Sequence, residues 1–201
     1  MTITELRQIK NGRFYLTLEN GEGFSVGPNE AADFSLYAGR ELSDGELNAL
    51  RGAASLGRCK ERAMRILGAR PMGEQELYER LIEKGEAEQD AAETVAWLVR
   101  LHILNDADYA AMVVRHYAAK GYGPRRVREE LRHRKLPREL WDEALEALPE
   151  QEEQIDRLLR SRLRGADISD RAALKKASDA LLRRGFGWDE IKAAVERCQS
   201  E

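Results

Sequence analysis

Along most of the chain apolar residues recur at the 3.6-residue spacing of an amphipathic helix, but the first 27 residues follow a different period. There Phe14, Leu16 and Leu18 alternate with Arg13, Tyr15 and Thr17, the two-residue period of a strand with one face turned inward. Asn11-Gly12 and Asn20-Gly21 bracket this run, and each pair suits a two-residue hairpin turn whose central positions both need positive φ. The pattern predicts a three-stranded meander over residues 2–10, 13–19 and 22–26. A sheet of that size is marginal in isolation, so it should lean on helices.

Pro28 ends the meander, and a short helix over 30–37 is stopped by Gly39. Ser43 and Glu46 form a Ser-x-x-Glu capping box, and Leu47, Leu50 and Ala54 make the buried stripe of the helix it opens. From Arg58 onward the pattern predicts helices over 60–69, 74–84 and 88–102, then 107–119, 124–134 and 138–148, then 150–164, 171–184 and 188–198. Pro71, Pro124, Pro137 and Pro149 fall at the boundaries, where a missing amide donor does least harm.

These helical segments are self-similar. The stretches beginning at Leu81, Leu131 and Leu181 lie 50 residues apart, and Val95, Leu145 and Val195, Glu79, Glu129 and Asp179, and Gly73 and Gly123 fall in the same register. Gly85 and Gly185 stand where a helix ends in the left-handed conformation. Lys135 takes that slot in the middle copy, at a cost of about 1 kcal/mol. The expectation is that this helix ends differently or that Lys135 is kept for its charge. The fold class that follows is all-α: three tandem three-helix, helix-turn-helix-like repeats, with a small amino-terminal β meander. Expected domains are 1–57, 58–104, 105–148 and 149–201. Units this small bury little surface alone, so they should stack end to end into an elongated, curved rod.

Charge changes this picture. The net charge of -3 conceals blocks: 74–93 holds eight acids and two bases, 139–156 eight acids and no base, and 157–184 nine bases and three acids. The densest positive run is 120–138, with eight Lys or Arg against two Glu. Lys120, Tyr122, Arg125, Arg126, Arg128, Arg132, Arg134 and Lys135 are the candidate contact residues there, with Lys175, Lys176, Arg183 and Arg184 as a second patch. One reading of the cluster is solubility plus pairing with Glu129, Glu130 or the acidic helix that follows. The other is a surface for a phosphate backbone or an acidic protein groove. Composition alone does not choose between them.

Catalytic chemistry finds no support. His102, His116 and His133 have no carboxylate or Cys at ligand spacing, and His102 and His116 are expected to be partly buried beside apolar stripes. Cys59 and Cys198 are far apart, without a CxxC pair, and Cys198 is expected to be a buried structural thiol. Gly121-Tyr122-Gly123 lacks the spacing of a phosphate loop, and Tyr122 is expected to be exposed. Trp97, Trp141 and Trp188 read as core anchors. No apolar run is long enough to cross a bilayer and the amino terminus is not a signal peptide, so a cytoplasmic protein is expected. The His and Cys spacings offer no metal set, and a monomer is expected.

Four stretches resemble a known family. They are Ala69-Arg70-Pro71-Met72 with Glu76-Leu77 and Leu81-x-x-x-Gly85; Leu104-Asn105-Asp106-Ala107-Asp108-Tyr109-Ala110; Lys120-Gly121-Tyr122-Gly123; and Glu130-Leu131. Together they are similar to RecX, a family of bacterial modulators of the RecA recombinase, over about residues 58–198, with Lys135 departing from the family's usual glycine. The resemblance implies three tandem three-helix repeats that lodge in the groove of the RecA filament on single-stranded DNA. Blocked extension or promoted disassembly would damp strand exchange, ATP hydrolysis and co-protease activity, and hence DNA repair by recombination and the SOS response. It also implies no cofactor, ATP belonging to the recombinase. An independent single- or double-stranded DNA-binding protein is the alternative reading, and an inert helical scaffold a third.

Overall fold

The computed structural model describes residues 1–148, 150–163 and 170–199. The predicted boundary at Pro149 and the helix end at Arg164 lie outside the described residues. Among the described residues the chain runs as β1 (Ile3–Gln8), β2 (Phe14–Leu18), β3 (Gly23–Val26), α1 (Pro28–Asp33), α2 (Asp44–Ala69), α3 (Glu74–Glu83) and α4 (Glu88–Arg100). It continues with α5 (Asp106–Ala119), α6 (Pro124–His133), α7 (Trp141–Leu145), α8 (Gln151–Leu163), α9 (Arg171–Arg183) and α10 (Trp188–Gln199). It divides into two compact units, 1–72 with 76–104, and 73–75 with 105–201.

In the first unit the strands form an antiparallel sheet in the order β1-β2-β3, with Leu6 opposite Leu16 and Leu16 opposite Phe24. Ile3, Leu16, Leu18 and Val26 pack against Leu47, Leu50 and Ala54 of α2, so the sheet leans on a helix as its size requires. The two turns differ. Asn11 and Gly12 both take positive φ (61° and 71°), whereas at the second turn only Gly21 does (83°). Leu18 closes that second loop by donating to the Glu22 carbonyl at 2.8 Å, and the Asn20 side chain accepts the Glu22 amide instead of its backbone turning left-handed.

The predicted capping box is present: the Ser43 hydroxyl accepts the Glu46 amide at 3.2 Å, and the Glu46 carboxylate accepts the Ser43 amide at 2.9 Å. The helix it opens does not stop before Arg58. It runs on as one 26-residue helix, and the separate helix predicted over 60–69 is its second half. Nothing in this stretch removes an amide, and interior glycines weaken a helix without ending it. Gly57 also has a packing reason, since a Cβ there would come within 2.4 Å of the Glu30 carboxylate. The far half of α2 supplies Cys59 and Ala63 to a second cluster with Leu77, Leu81, Ala91 and Leu98. Glu86 is buried beneath it between Arg58 and Arg62; Arg62 Nε sits 2.7 Å from the carboxylate, off the line of a hydrogen bond, so this is a charge contact.

The second unit holds two further clusters. Tyr109, Val113, Val114, Val127 and Leu131 form one, and Ile155, Leu159, Leu181, Phe186 and Ile191 the other. The predicted helix over 138–148 is a 3-10 turn (Arg138–Leu140) followed by the short α7. The Trp141 indole N–H donates to the Leu136 carbonyl at 3.1 Å, tying the start of α7 to the turn before it.

Candidate functional site

The Leu-Asn-Asp-x-x-Tyr-Ala run opens α5 as a joint. Asn105 caps the helix, its side-chain oxygen accepting the amides of Ala107 and Asp108 at 3.0 and 3.3 Å. Asp106 is buried and accepts the Glu74 amide at 2.9 Å. Burial holds its carboxyl above the usual range, partly offset by that amide. Burial, and then the neighbouring Asp106, raise Glu74 as well. Tyr109 is buried, with its hydroxyl bonded to the Arg134 guanidinium, which lies 5.7 Å over the Tyr109 ring.

Arg134 therefore faces inward. It also pairs with Glu130 at 2.7 Å, and although its burial disfavours the charge, Tyr109 and Glu130 hold it protonated more firmly than usual. Tyr122, expected to be exposed, is half-buried: its ring lies 5.5 Å from Tyr117, with the Arg184 guanidinium 5.8 Å above it. Arg184 donates to the Lys120 and Gly121 carbonyls at 3.2 and 3.1 Å. Arg134, Tyr122 and Arg184 are thus committed within the unit by packing and hydrogen bonds.

The glycines beside them make this closeness feasible. The Gly123 and Arg125 amides, at the start of α6, donate to the Arg184 and Gly185 carbonyls at 2.8 and 3.0 Å. The amino end of α6 so meets the carboxyl end of α9, with opposite partial charges facing. A Cβ on Gly123 would lie 2.7 Å from the Gly185 backbone, and one on Gly185 would lie 2.3 Å from the Arg126 amide. Lys135 has no such constraint, yet its helix ends as the others do. Lys135 takes φ 58° and donates to the Arg132 carbonyl at 3.0 Å, while Leu136 donates to Leu131 at 3.1 Å. Gly85 and Gly185 make the equivalent bonds, so the expectation of a different ending is corrected.

What α6 leaves outside is a stripe. Val127 and Leu131 are buried, and Arg125, Arg128 and Arg132 stand on the opposite, solvent face at i, i+3 and i+7. None of the three side chains has a salt bridge among the described residues, whereas Arg126 pairs with Glu129 at 2.7 Å. Lys120 is exposed over the Tyr117 ring at 5.7 Å, and Lys135 is exposed. Lys175, Lys176 and Arg183 are exposed on α9.

Several other expectations change. His102 and His116 are exposed rather than packed; His102 occupies a left-handed turn at φ 54°, where α4 ends two residues earlier than predicted. Cys59 is fully buried, but Cys198 only partly. Trp188 is 55% exposed and is no core anchor, its place being taken by Phe186. The Gly123–Gly185 contact leaves one trace in the sequence, the common register of Gly73 and Gly123. Gly73 lies in the corresponding place, a Cβ there falling 3.2 Å from Leu136, the residue fifty before Phe186.

Three family profiles match this chain: the first three-helix domain of RecX over residues 59–98, the second over 105–145 and the third over 150–195. A regulatory protein RecX from Cronobacter sakazakii is 35% identical, with 68% of this chain and 89% of the relative covered. One from Vibrio campbellii is 30% identical over 68% of this chain and 88% of its own. One from Lactobacillus gasseri is 29% identical over 96% and 73%. A crystal structure of a regulatory protein RecX shares the fold with a TM-score of 0.74 at 23% identity, covering 96% of this chain and 98% of the other. That of RecX from Lactobacillus salivarius gives 0.69 at 21% identity, covering 74% and 99%. With its three matched domains and these relatives, the chain belongs to the RecX family of regulatory proteins.

Proposed function

We propose that this regulatory protein binds the RecA recombinase filament on single-stranded DNA and restrains its extension, lowering ATP hydrolysis, strand exchange and co-protease activity. In this reading it is a cytoplasmic binding protein that works as a monomer, without a cofactor or a reaction of its own. The observation that supports the reading is the stripe of Arg125, Arg128 and Arg132. These three guanidiniums have no salt bridge among the described residues and ride on a helix whose start is fixed by backbone hydrogen bonds. Surface arginines held for solubility are usually paired or scattered. A row on one face of a positioned helix is suited to phosphates or carboxylates, which the guanidinium fork recognises in two-point fashion. Lys120, Lys135, Lys175, Lys176 and Arg183 extend the cationic surface, while Arg134, Tyr122 and Arg184 support it from within.

The test is ATP hydrolysis by a RecA filament with the protein added below stoichiometric amounts. The wild-type chain is expected to slow hydrolysis, and the variant with Arg125, Arg128 and Arg132 changed to Glu to lose most of that effect with its helix content unchanged. Undiminished inhibition by the variant would remove α6 from the contact. The same stripe favours a second reading, direct DNA binding, which predicts association without recombinase that falls steeply with salt.

A further inference from the structure

The third repeat carries a surface feature of which the recombinase reading uses Lys175 alone. On α9, Arg171, Leu174, Lys175, Ser178 and Asp179 fall at i, i+3, i+4, i+7 and i+8, one face of the helix. On α10, Trp188, Ile191, Lys192 and Val195 fall at i, i+3, i+4 and i+7. The two faces border a groove of about 460 Å³, within the usual size of a ligand site. Its floor is Leu174, Ile191 and Val195, and Trp188 stands beside them with more than half its surface in water. Large aromatic side chains are seldom left this exposed next to aliphatic ones unless something covers them.

The chemistry of the rim selects the occupant. Arg171, Lys175 and Lys192 surround the apolar floor, and Asp179 is the one carboxylate among the described residues that line it. Among the described residues the salt bridge of Lys192 is an exposed contact with Glu196 at 3.7 Å, which a carboxylate of a partner can displace at little cost. A basic rim over an aliphatic floor matches a segment that carries apolar and acidic side chains together. A nucleic-acid strand fits less well, because three aliphatic side chains and one carboxylate face the place where bases and phosphates would lie.

We propose that the α9–α10 groove is a docking site for a short acidic segment of a partner protein, anchored by an apolar side chain against Trp188 and Leu174 and held by Arg171, Lys175 and Lys192. The site goes beyond the recombinase reading and does not depend on the α6 arginines.

The experiment uses the full chain and a synthetic peptide rich in Asp and Glu with Phe and Leu at its centre. The fluorescence of the exposed Trp188 is expected to shift on binding, with a Kd of about 10 μM. Trp188→Ala, followed by anisotropy of a labelled peptide, and the double variant Arg171→Glu with Lys192→Glu are each expected to weaken binding about tenfold or more. All three positions are on the surface, so circular dichroism should match wild type. A peptide with Asn and Gln in place of the acids is expected to bind at least tenfold more weakly, about 1.4 kcal/mol.

The proposal is overturned by equal binding of the neutral peptide or by full binding to both variants. It is also overturned if oligothymidylate, rather than the peptide, quenches Trp188, which would make the groove a nucleic-acid surface. Peptide-competed self-association in sedimentation would assign the groove to a second copy and overturn it too. RecA ATPase inhibition is read on the same proteins: Trp188→Ala that binds no peptide yet still inhibits supports a separate site. Loss of both together would merge the groove with the filament contact.

Discussion

At the residue scale, positions of the same type separate by what lies beside them. Gly85 and Gly185 both sit at positive φ, but a Cβ on Gly85 meets nothing within 4 Å while one on Gly185 strikes the Arg126 backbone. Gly85→Ala is therefore expected to cost about 1 kcal/mol. Gly185→Ala should cost about 2–4 kcal/mol, because strain and overlap add, with both read from urea denaturation. Lys135→Gly should gain about 1 kcal/mol, since the left-handed turn is already formed and its strain is relieved. The need for a left-handed residue was legible at all three slots from their spacing. The close approach that makes Gly185 indispensable was not, because it depends on a segment some sixty residues away. Asp106 gives a pH signature. Its folded carboxyl titrates above the ordinary value, so its contribution favours folding most below the unfolded pKa and is lost as pH rises through the folded one. Asp106→Asn keeps an oxygen for the Glu74 amide without the charge. It is expected to flatten this part of the pH–stability curve and to be at least as stable as wild type at neutral pH. Asp106→Ala, lacking the acceptor, should lose about 1 kcal/mol.

At the scale of elements, amphipathic periodicity located the long helices well because it reports the burial that forms them. It failed at two places where periodicity is silent. One is the join in α2, where interior glycines resemble a break but take away no hydrogen bond. Since both halves of α2 supply core residues, Ala53→Pro is expected to cost about 3 kcal/mol or more and to loosen the sheet and the first repeat together, visible as faster amide exchange in both. The other is 138–148, where an apolar pattern long enough for three turns yields only the short α7, because the backbone tightens to three-residue hydrogen bonds on both sides of it, Leu140 donating to Pro137 before and Ala147 and Leu148 to Ala144 and Leu145 after. On α6 itself, the charge density was evident from composition. Which cations face outward was decided by Tyr109 and Glu130, which take Arg134 inward and leave Arg125, Arg128 and Arg132 in solvent.

At the scale of the whole molecule, the second unit is joined through backbone bonds rather than through one continuous core. A chain ending at Leu148 would keep the apolar cluster around Val127 and Leu131 but lose the acceptors of the Gly123 and Arg125 amides. It is expected to melt below the full protein, with exchange at those two amides rising first. The sequence by itself determined what depends on neighbours close in the chain: the 50-residue repeat, the helical class, the Ser43 cap, the meander and the blocks of charge. Each follows from local hydrogen bonding and from the period at which apolar side chains must recur to be buried. Tertiary structure alone decided which aromatic residues are covered, which arginines are consumed by internal partners and where two glycines let backbones touch. Those outcomes depend on distances between residues remote in sequence, and periodicity carries no information about such distances.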